Sequence, residues 1–199
     1  MSPSHSQRAP ANAGRDRRNR FLLLLIAAIF LGSFVIAGAL RFSGWRPAGM
    51  KNHGELLQPP GDLRDTQAVL ADGGAYPWNP AGRTWRIALA PPAGCAEACV
   101  ELAASLDTVW QLFGRNADHV HILWIGTPPP DARRNSAWRV LQPDPALIGG
   151  LPRHADVTGE AAGVPVYVVD PNGFVILRYA PGFDPGHLRQ DMARLLKLK

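Results

Sequence analysis

Residues 84–113, TWRIALAPPAGCAEACVELAASLDTVWQLF, contain the features that decide the fold. The first seven residues form a short apolar run of the kind that makes a buried β-strand. The Pro-Pro-Ala-Gly segment at 91–94 ends that strand, because proline has no backbone N–H to donate. From Cys99 onwards apolar residues recur every three or four positions, which predicts an amphipathic helix. Cys95 and Cys99 therefore lie at a predicted strand–helix junction.

The segments after this helix predict three more strands. The first is the apolar run at 120–125, VHILWI. The other two, at 164–169 and 174–180, flank the turn Asp-Pro-Asn-Gly at 170–173, which is typical of a β-hairpin. The crossover at 127–162 is rich in proline and arginine and is predicted to be irregular, with short elements at most.

A last helix is predicted from Asp184 and Pro185, which fit the N-cap and first helical position. The complete order is strand, helix, strand, crossover, hairpin and helix. This order resembles the thioredoxin arrangement, in which the reactive cysteines stand between the first strand and its helix. We therefore expect an α/β fold of the thioredoxin-like type, with a central mixed sheet flanked by helices.

An uncharged apolar stretch of twenty residues lies near the N-terminus, at 21–40, with the sequence FLLLLIAAIFLGSFVIAGAL. As a helix rising about 1.5 Å per residue, it would span the roughly 30 Å hydrocarbon core of a bilayer. The tail at 1–20 carries five arginines against one aspartate, which places it in the cytoplasm by the positive-inside bias. Ala37 and Ala39 leave a cleaved signal peptide as the alternative to an anchor.

The chain is thus predicted to have four parts: a basic cytoplasmic tail at 1–20, a transmembrane helix at 21–40, a spacer and lead-in at 41–83, and the thioredoxin-like domain at 84–199. The net charge of the whole chain is +5, and the tail supplies +4 of it. The remaining residues carry only +1, so no basic stripe is left to neutralise a phosphate backbone. Nucleic-acid binding is therefore excluded as the expected function.

Cys95 and Cys99 are the only cysteines in the sequence, and at this spacing they can face each other across one helical turn. Backbone N–H groups at a helix start would stabilise the thiolate of Cys95. Dithiol–disulfide exchange uses such a pair, since one sulfur attacks and the other resolves. Binding of a soft ion such as Cu(I) uses it too, because Cu(I) favours thiolates. A structural disulfide or a pair of inert buried thiols is the third interpretation.

Residues 45–199 resemble the Sco/SenC family of copper-handling cytochrome c oxidase assembly proteins, and within it a short, divergent bacterial branch. The matching features are the membrane segment, the lead-in NHGELL at 52–57, the Trp85 strand, the CAEAC motif at 95–99 and the hairpin at 166–173. The resemblance implies that the two cysteines bind Cu(I) or exchange thiols with an oxidase subunit or another thiol protein. It also implies a domain in the periplasm, held by residues 21–40 in the bilayer of the bacterial inner membrane, with a single pass.

Three features depart from the Sco/SenC pattern or qualify it. The residue after the second cysteine is Val100, where the family usually has proline. The family's third copper ligand, a histidine, would fall near Ala162, and His154 is the candidate that could replace it. Pro165, just before a predicted strand, resembles the cis-proline that faces the reactive cysteines in thioredoxins. The pair Cys95 and Cys99, with Pro165, therefore favours thiol exchange over tight copper binding.

Three functions follow as expectations. The first is an assembly factor for cytochrome c oxidase that acts by thiol–disulfide exchange or Cu(I) handling. The second is a general periplasmic thiol–disulfide oxidoreductase with no link to the oxidase. The third is a non-catalytic scaffold that contacts oxidase subunits through its surface. Whether the chain is an enzyme depends on which of these holds.

Overall fold

The computed structural model describes residues 13–43, 51–154 and 163–197. The chain divides into two units, one up to Met50 and the other from Lys51 onwards. The helices and strands, in chain order, are α1 (Ala13–Phe42), β1 (Glu55–Asp62), β2 (Trp85–Leu89), α2 (Glu97–Gln111), β3 (Val120–Ile125), β4 (Trp138–Leu141), α3 (Pro145–Gly149), β5 (Val166–Val169), β6 (Phe174–Tyr179) and α4 (Pro185–Leu195).

In the described part of the first unit the chain forms α1, and the candidate membrane span within it is Arg17–Phe42. By length and composition this helix is able to cross a membrane. Its large apolar side chains are exposed along the whole stretch, and such a surface is unfavourable in water. The helix is therefore suited to a single-pass membrane anchor.

The second unit is built on a six-stranded sheet with the strand order β1-β6-β5-β2-β3-β4. Strands β2, β3 and β4 are parallel to one another, and the pairs β2/β5, β5/β6 and β6/β1 are antiparallel. The predicted mixed sheet with flanking helices is thus confirmed. The hairpin of β5 and β6 turns at 170–173, where Gly173 takes a φ of 100° that favours glycine.

The edge strand β1 lies inside the segment 41–83, which the sequence indicated to be an irregular spacer and lead-in. It pairs with β6 but carries Pro59 and Pro60, so its pattern does not read as a strand. Proline is tolerated there because an edge strand needs ladder hydrogen bonds on one side only. Leu63 and Tyr76, from the same segment, are buried in the core.

The sheet has a core on each face. One core contains Ile87 and Leu89 together with the inner sides of α2 and α4. The other core contains Ala88, which lies between Ile87 and Leu89 in the sequence, together with residues of α3 and of the segment 57–76. Because successive side chains of a strand point to opposite faces, β2 contributes to both cores and is buried throughout.

Arg86 in β2 is 1 % exposed and ties the hairpin turn to the lead-in segment. Its Nη1 donates to the carbonyls of Asp170 and Pro171, and its Nε donates to the hydroxyl of Tyr76 at 3.0 Å. The Tyr76 hydroxyl lies 2.9 Å from Nδ1 of His121.

Asp191 in α4 is 2 % exposed and forms what we call the Asp191 clasp, with His53, Gly54 and Tyr179. Its Oδ2 accepts from the backbone N–H of His53 at 2.7 Å, the N–H of Gly54 at 2.9 Å and the Tyr179 hydroxyl at 2.7 Å. The clasp fastens the segment before β1 to both the sheet and the last helix. The imidazoles of His53 and His187 stack beside it, with centroids 4.1 Å apart.

Candidate functional site

Cys95 and Cys99 form a disulfide at the junction of β2 and α2, with their Cα atoms 5.5 Å apart. The chain reaches Cys95 through a turn in which its N–H donates to the carbonyl of Pro92 at 3.3 Å. Gly94, with a φ of 85°, supplies the left-handed conformation that this turn needs. The two sulfurs differ in access, because Cys95 is partly exposed and Cys99 is 0 % exposed.

Helix α2 begins at Glu97, between the two cysteines of the disulfide. The N-cap residue is Ala96, which cannot accept a hydrogen bond through its side chain. The first-turn N–H groups therefore lack the usual side-chain cap. On reduction, these groups and the helix dipole would favour the thiolate of Cys95.

A cavity of about 730 Å³ opens beside the disulfide. It collects residues that follow the carboxyl ends of the parallel strands β2 and β3, together with residues around α3. The described residues that line it are Ala90, Pro91, Pro92, Ala93, Gly94, Cys95, Ala96, Cys99, Trp124, Ile125, Gly126, Thr127, Pro128, Pro129, Pro130, Pro143, Ile148 and His154. The heteroatoms in the side chains of these lining residues are the hydroxyl of Thr127, the imidazole of His154, the indole nitrogen of Trp124 and the two cysteine sulfurs.

His154 lies on the wall of this cavity, so the structure brings it to the same site as the cysteine pair. Burial, followed by the nearby charge of Arg178, lowers its pKa below the ordinary value. Its Nδ1 is buried and has no hydrogen-bond partner among residues 13–43, 51–154 and 163–197. The Nε1 of Trp124, on the same wall, is in the same situation.

Pro165 departs from the expectation drawn from thioredoxins. Among the described bonds the cis peptide is Gln58–Pro59, so Val164–Pro165 is trans, unlike the thioredoxin proline that Pro165 resembles in sequence position. Pro165 is buried directly before β5 and does not belong to the cavity wall described above. Its position is set by the start of the strand, since a trans proline fits extended backbone. A role for Pro165 in catalysis stays a prediction.

The fit of a copper ion can be judged from the available donors. In the disulfide neither sulfur is a thiolate, so the oxidised pair cannot bind Cu(I). Reduction would provide two thiolates. In the part of the chain that the structure describes, no group of three or more His, Cys, Asp and Glu side chains is arranged to hold a metal. His154 shares the cavity but does not complete such a group, and the site near Ala162 lies outside the described residues.

The comparison with protein families identifies the class. Residues 85–199 match the family described as "transmembrane-like, thioredoxin-like, C-terminal domain", and the chain belongs to that family. The match includes the cysteine pair, the cavity and the last helix. The search of curated proteins found no match.

Among solved structures the similar ones include Sco proteins. BsSco, a member of the Sco family of cytochrome c oxidase assembly proteins, is 13 % identical with a TM-score of 0.52, over 73 % of this chain and 98 % of that one. Yeast Sco1 with copper bound is 14 % identical with a TM-score of 0.50, over 76 % and 96 %. At such identities the likeness is one of fold. It confirms the thioredoxin-like fold and the resemblance to Sco proteins at that level.

Sequence reasoning found the cysteines but missed most of the cavity wall, including Trp124, Thr127 and Ile148. One available signal was the position of residues 126–130 directly after a predicted parallel strand. Ligands of open α/β sheets bind outside the carboxyl ends of parallel strands. No comparable signal pointed to Ile148, which reaches the cavity through the crossover.

Proposed function

We propose that this chain is a membrane-anchored thiol–disulfide exchange protein that assists the assembly of cytochrome c oxidase. The observation that carries the exchange chemistry is the unequal access of the two sulfurs. Cys95 is partly exposed at a helix N-terminus and beside a cavity, whereas Cys99 has no exposed surface. A structural disulfide needs neither the uncapped helix start nor the cavity.

The unequal access assigns the order of events. A partner thiolate attacks the Sγ of Cys95, and the Cys95–Cys99 bond breaks as a mixed disulfide forms. The electron pair leaves on the Sγ of Cys99, which takes up a proton. In the reverse direction, the Cys95 thiolate attacks a partner disulfide and Cys99 resolves the mixed disulfide. Both directions use the same two sulfurs in the same roles.

The link to the oxidase is supported by the likeness to BsSco and yeast Sco1, and it belongs to this proposal. Copper handling is the second candidate for the same site. The observation in its favour is His154, whose imidazole lies on the cavity wall with the cysteines. Against it stands the lack of a third ligand grouped with the two sulfurs among the described residues. A general thiol–disulfide oxidoreductase and a non-catalytic scaffold are the remaining candidates.

The proposed topology places α1 in the inner membrane, the N-terminus in the cytoplasm and the domain in the periplasm. The length and composition of α1 support the anchor, and the arginines before residue 21 support the orientation. In that compartment a disulfide persists, because no cytosolic reductant reaches it.

The experiment that tests the exchange compares two single substitutions in the full-length chain expressed in its native membrane. Cys99→Ser leaves the exposed sulfur without its resolving partner and should trap a mixed disulfide through Cys95. Cys95→Ser is the matched control, because it leaves only the buried sulfur and should trap at most a small fraction of that amount. Non-reducing electrophoresis followed by mass spectrometry identifies the trapped partner.

Each result selects one candidate. An oxidase subunit trapped by Cys99→Ser would support the assembly role, and unrelated periplasmic thiol proteins would support a general oxidoreductase. If neither variant traps a partner and both leave oxidase assembly intact, thiol exchange is wrong and the scaffold remains. Stoichiometric binding of Cu(I) by the reduced chain under anaerobic conditions, lost in Cys95→Ser, would favour copper handling.

A further inference from the structure

The cavity beside Cys95 carries no Asp, Glu, Lys or Arg among the described residues that line it. Six of those residues are prolines, which have no backbone N–H to donate. The Trp124 indole nitrogen and the His154 Nδ1 on the wall are buried. A bound group therefore meets mostly apolar surface and few hydrogen-bonding atoms.

We infer that Cys95 exchanges with a cysteine that lies in an uncharged, apolar polypeptide segment, and that small anionic thiols such as glutathione are poor substrates. This inference rests on the proposed thiol exchange and names its substrate class. An apolar side chain next to the reacting cysteine gains from leaving water in such a cavity. A carboxylate or ammonium group loses its hydration there, and no charged side chain among the described lining residues pairs with it, so its entry is unfavourable.

The size of the cavity agrees with a peptide rather than a single side chain. Its volume of about 730 Å³ lies well within the range of sites that enclose drug-sized ligands. The wall extends from Cys95 past Thr127 to Ile148, so residues on either side of a substrate cysteine can contact it. A segment of a few apolar residues would use that surface.

The charges around the rim act on anionic and cationic thiols in opposite directions. Glu97, Asp131 and Asp144 directly follow lining residues along the chain and are exposed. Arg153 precedes His154 and forms an ion pair with Glu55. The three carboxylates would repel an anionic thiol and attract a cationic one. Discrimination against Lys-Cys-Lys as well as Asp-Cys-Glu is therefore assigned to the cavity interior, where the described residues carry no charge.

The exchange step uses the chain's own disulfide as oxidant. The substrate thiolate forms a bond to the Sγ of Cys95 while the bond from Cys95 to Cys99 breaks, and Cys99 leaves as a thiolate that is then protonated. A second thiolate, from the same segment or from a second thiol molecule, attacks the mixed disulfide and releases Cys95 as a thiolate that is then protonated. The substrate gains one disulfide, and the chain ends with two thiols.

The test measures the reduction of the oxidised full-length chain in a neutral detergent. The thiols are dithiothreitol, glutathione and three end-blocked peptides, Val-Cys-Leu, Asp-Cys-Glu and Lys-Cys-Lys. Each rate is divided by the rate of the same thiol with bis(2-hydroxyethyl) disulfide, which removes differences in intrinsic reactivity. We expect the normalised rate with the apolar peptide to exceed the rates with both charged peptides and with glutathione by at least about tenfold. A free-energy penalty of about 1.4 kcal/mol for one unpaired polar group corresponds to that factor.

A pair of lysine substitutions tests whether the discrimination against charged thiols arises in the cavity. Thr127 is exposed on the cavity wall, so Thr127→Lys places a cation there. Thr108→Lys adds the same charge at an exposed position of α2 outside this cavity and serves as the matched control. Coulomb's law at about 8 Å in water predicts about a twofold rise in the glutathione to dithiothreitol ratio for Thr127→Lys. The control should leave that ratio unchanged.

The outcomes separate the two proposals. If dithiothreitol does not reduce the pair, thiol exchange itself is wrong. If dithiothreitol reduces it but the three peptides react at equal normalised rates, the exchange stands and the apolar substrate class is overturned. An equal glutathione ratio in Thr127→Lys and Thr108→Lys would also overturn it.

Discussion

Replacing Asp191 by alanine should lower the free energy of unfolding by about 4 kcal/mol, although Asp191 is not one of the residues that line the cysteine cavity. The carboxylate is the shared acceptor of the Asp191 clasp, with Oδ2 within 2.9 Å of three donors. Two of these donors, the N–H of Gly54 and the hydroxyl of Tyr179, are buried. Alanine leaves both without an acceptor.

The magnitude follows from those orphaned donors. A buried polar group left without its partner costs about 1–3 kcal/mol, so two of them cost about 2–6 kcal/mol. The backbone N–H of His53 adds little because His53 is exposed and water can replace the acceptor. Burial, followed by the hydrogen bond to Asp191, raises the pKa of Tyr179, so its hydroxyl remains a donor across the pH range of the assay.

The assay is urea unfolding of the full-length chain in detergent, followed by tryptophan fluorescence. Tyr179→Phe removes one donor with its hydrogen bond and should cost about 1.5–3 kcal/mol. The double variant should cost about 1–2 kcal/mol less than the sum, because a phenylalanine in place of Tyr179 has no hydroxyl that needs the acceptor. Asp65→Ala, at an exposed carboxylate, is the control and should stay within about 0.5 kcal/mol of the parent. An Asp191→Ala value indistinguishable from that control would refute the clasp.

Three further outcomes are expected. Burial, then the charges of Arg139 and Arg86, lowers the pKa of His121 to about 4. The contribution of neutral His121 to the free energy of unfolding should therefore be fully present above pH about 6.5 and be lost as the pH falls towards 4. The loss should be less than about 1.4 kcal/mol per pH unit, because the ring is partly exposed. Urea titrations of His121→Asn at several pH values should show a flatter pH profile, and an unchanged slope would exclude His121 as the source of the pH dependence. Reducing the Cys95–Cys99 bond should cost about 2 kcal/mol, as expected for so short a loop, and a destabilisation above about 4 kcal/mol would indicate a structural disulfide. In intact spheroplasts an impermeant maleimide should label Cys95 in Cys99→Ser, whereas labelling only after lysis would reverse the proposed topology.

The cysteine site was predictable in part, and the reason is its local origin. The strand, the Pro-Pro-Ala-Gly break and the helix are adjacent in sequence, so period and spacing place Cys95 and Cys99 at one junction. Their unequal exposure was not predictable, because Cys99 is covered by the core that includes residues of β3 and β5. The isomer of the bond before Pro165 was likewise not predictable from the resemblance to thioredoxins, and it is trans in this chain.

By itself the sequence determined the features that arise from neighbours a few residues apart: the apolar span of α1, the strand–helix junction with its cysteine pair, the hairpin at 170–173 and the class of fold. Tertiary structure decided which distant segments meet. It places β1, with its two prolines, at the edge of the sheet beside β6. It also places His154 and Ile148 on the wall of the cavity beside the disulfide. Their places depend on how two cores pack on opposite faces of one sheet, a property that no short stretch of sequence contains.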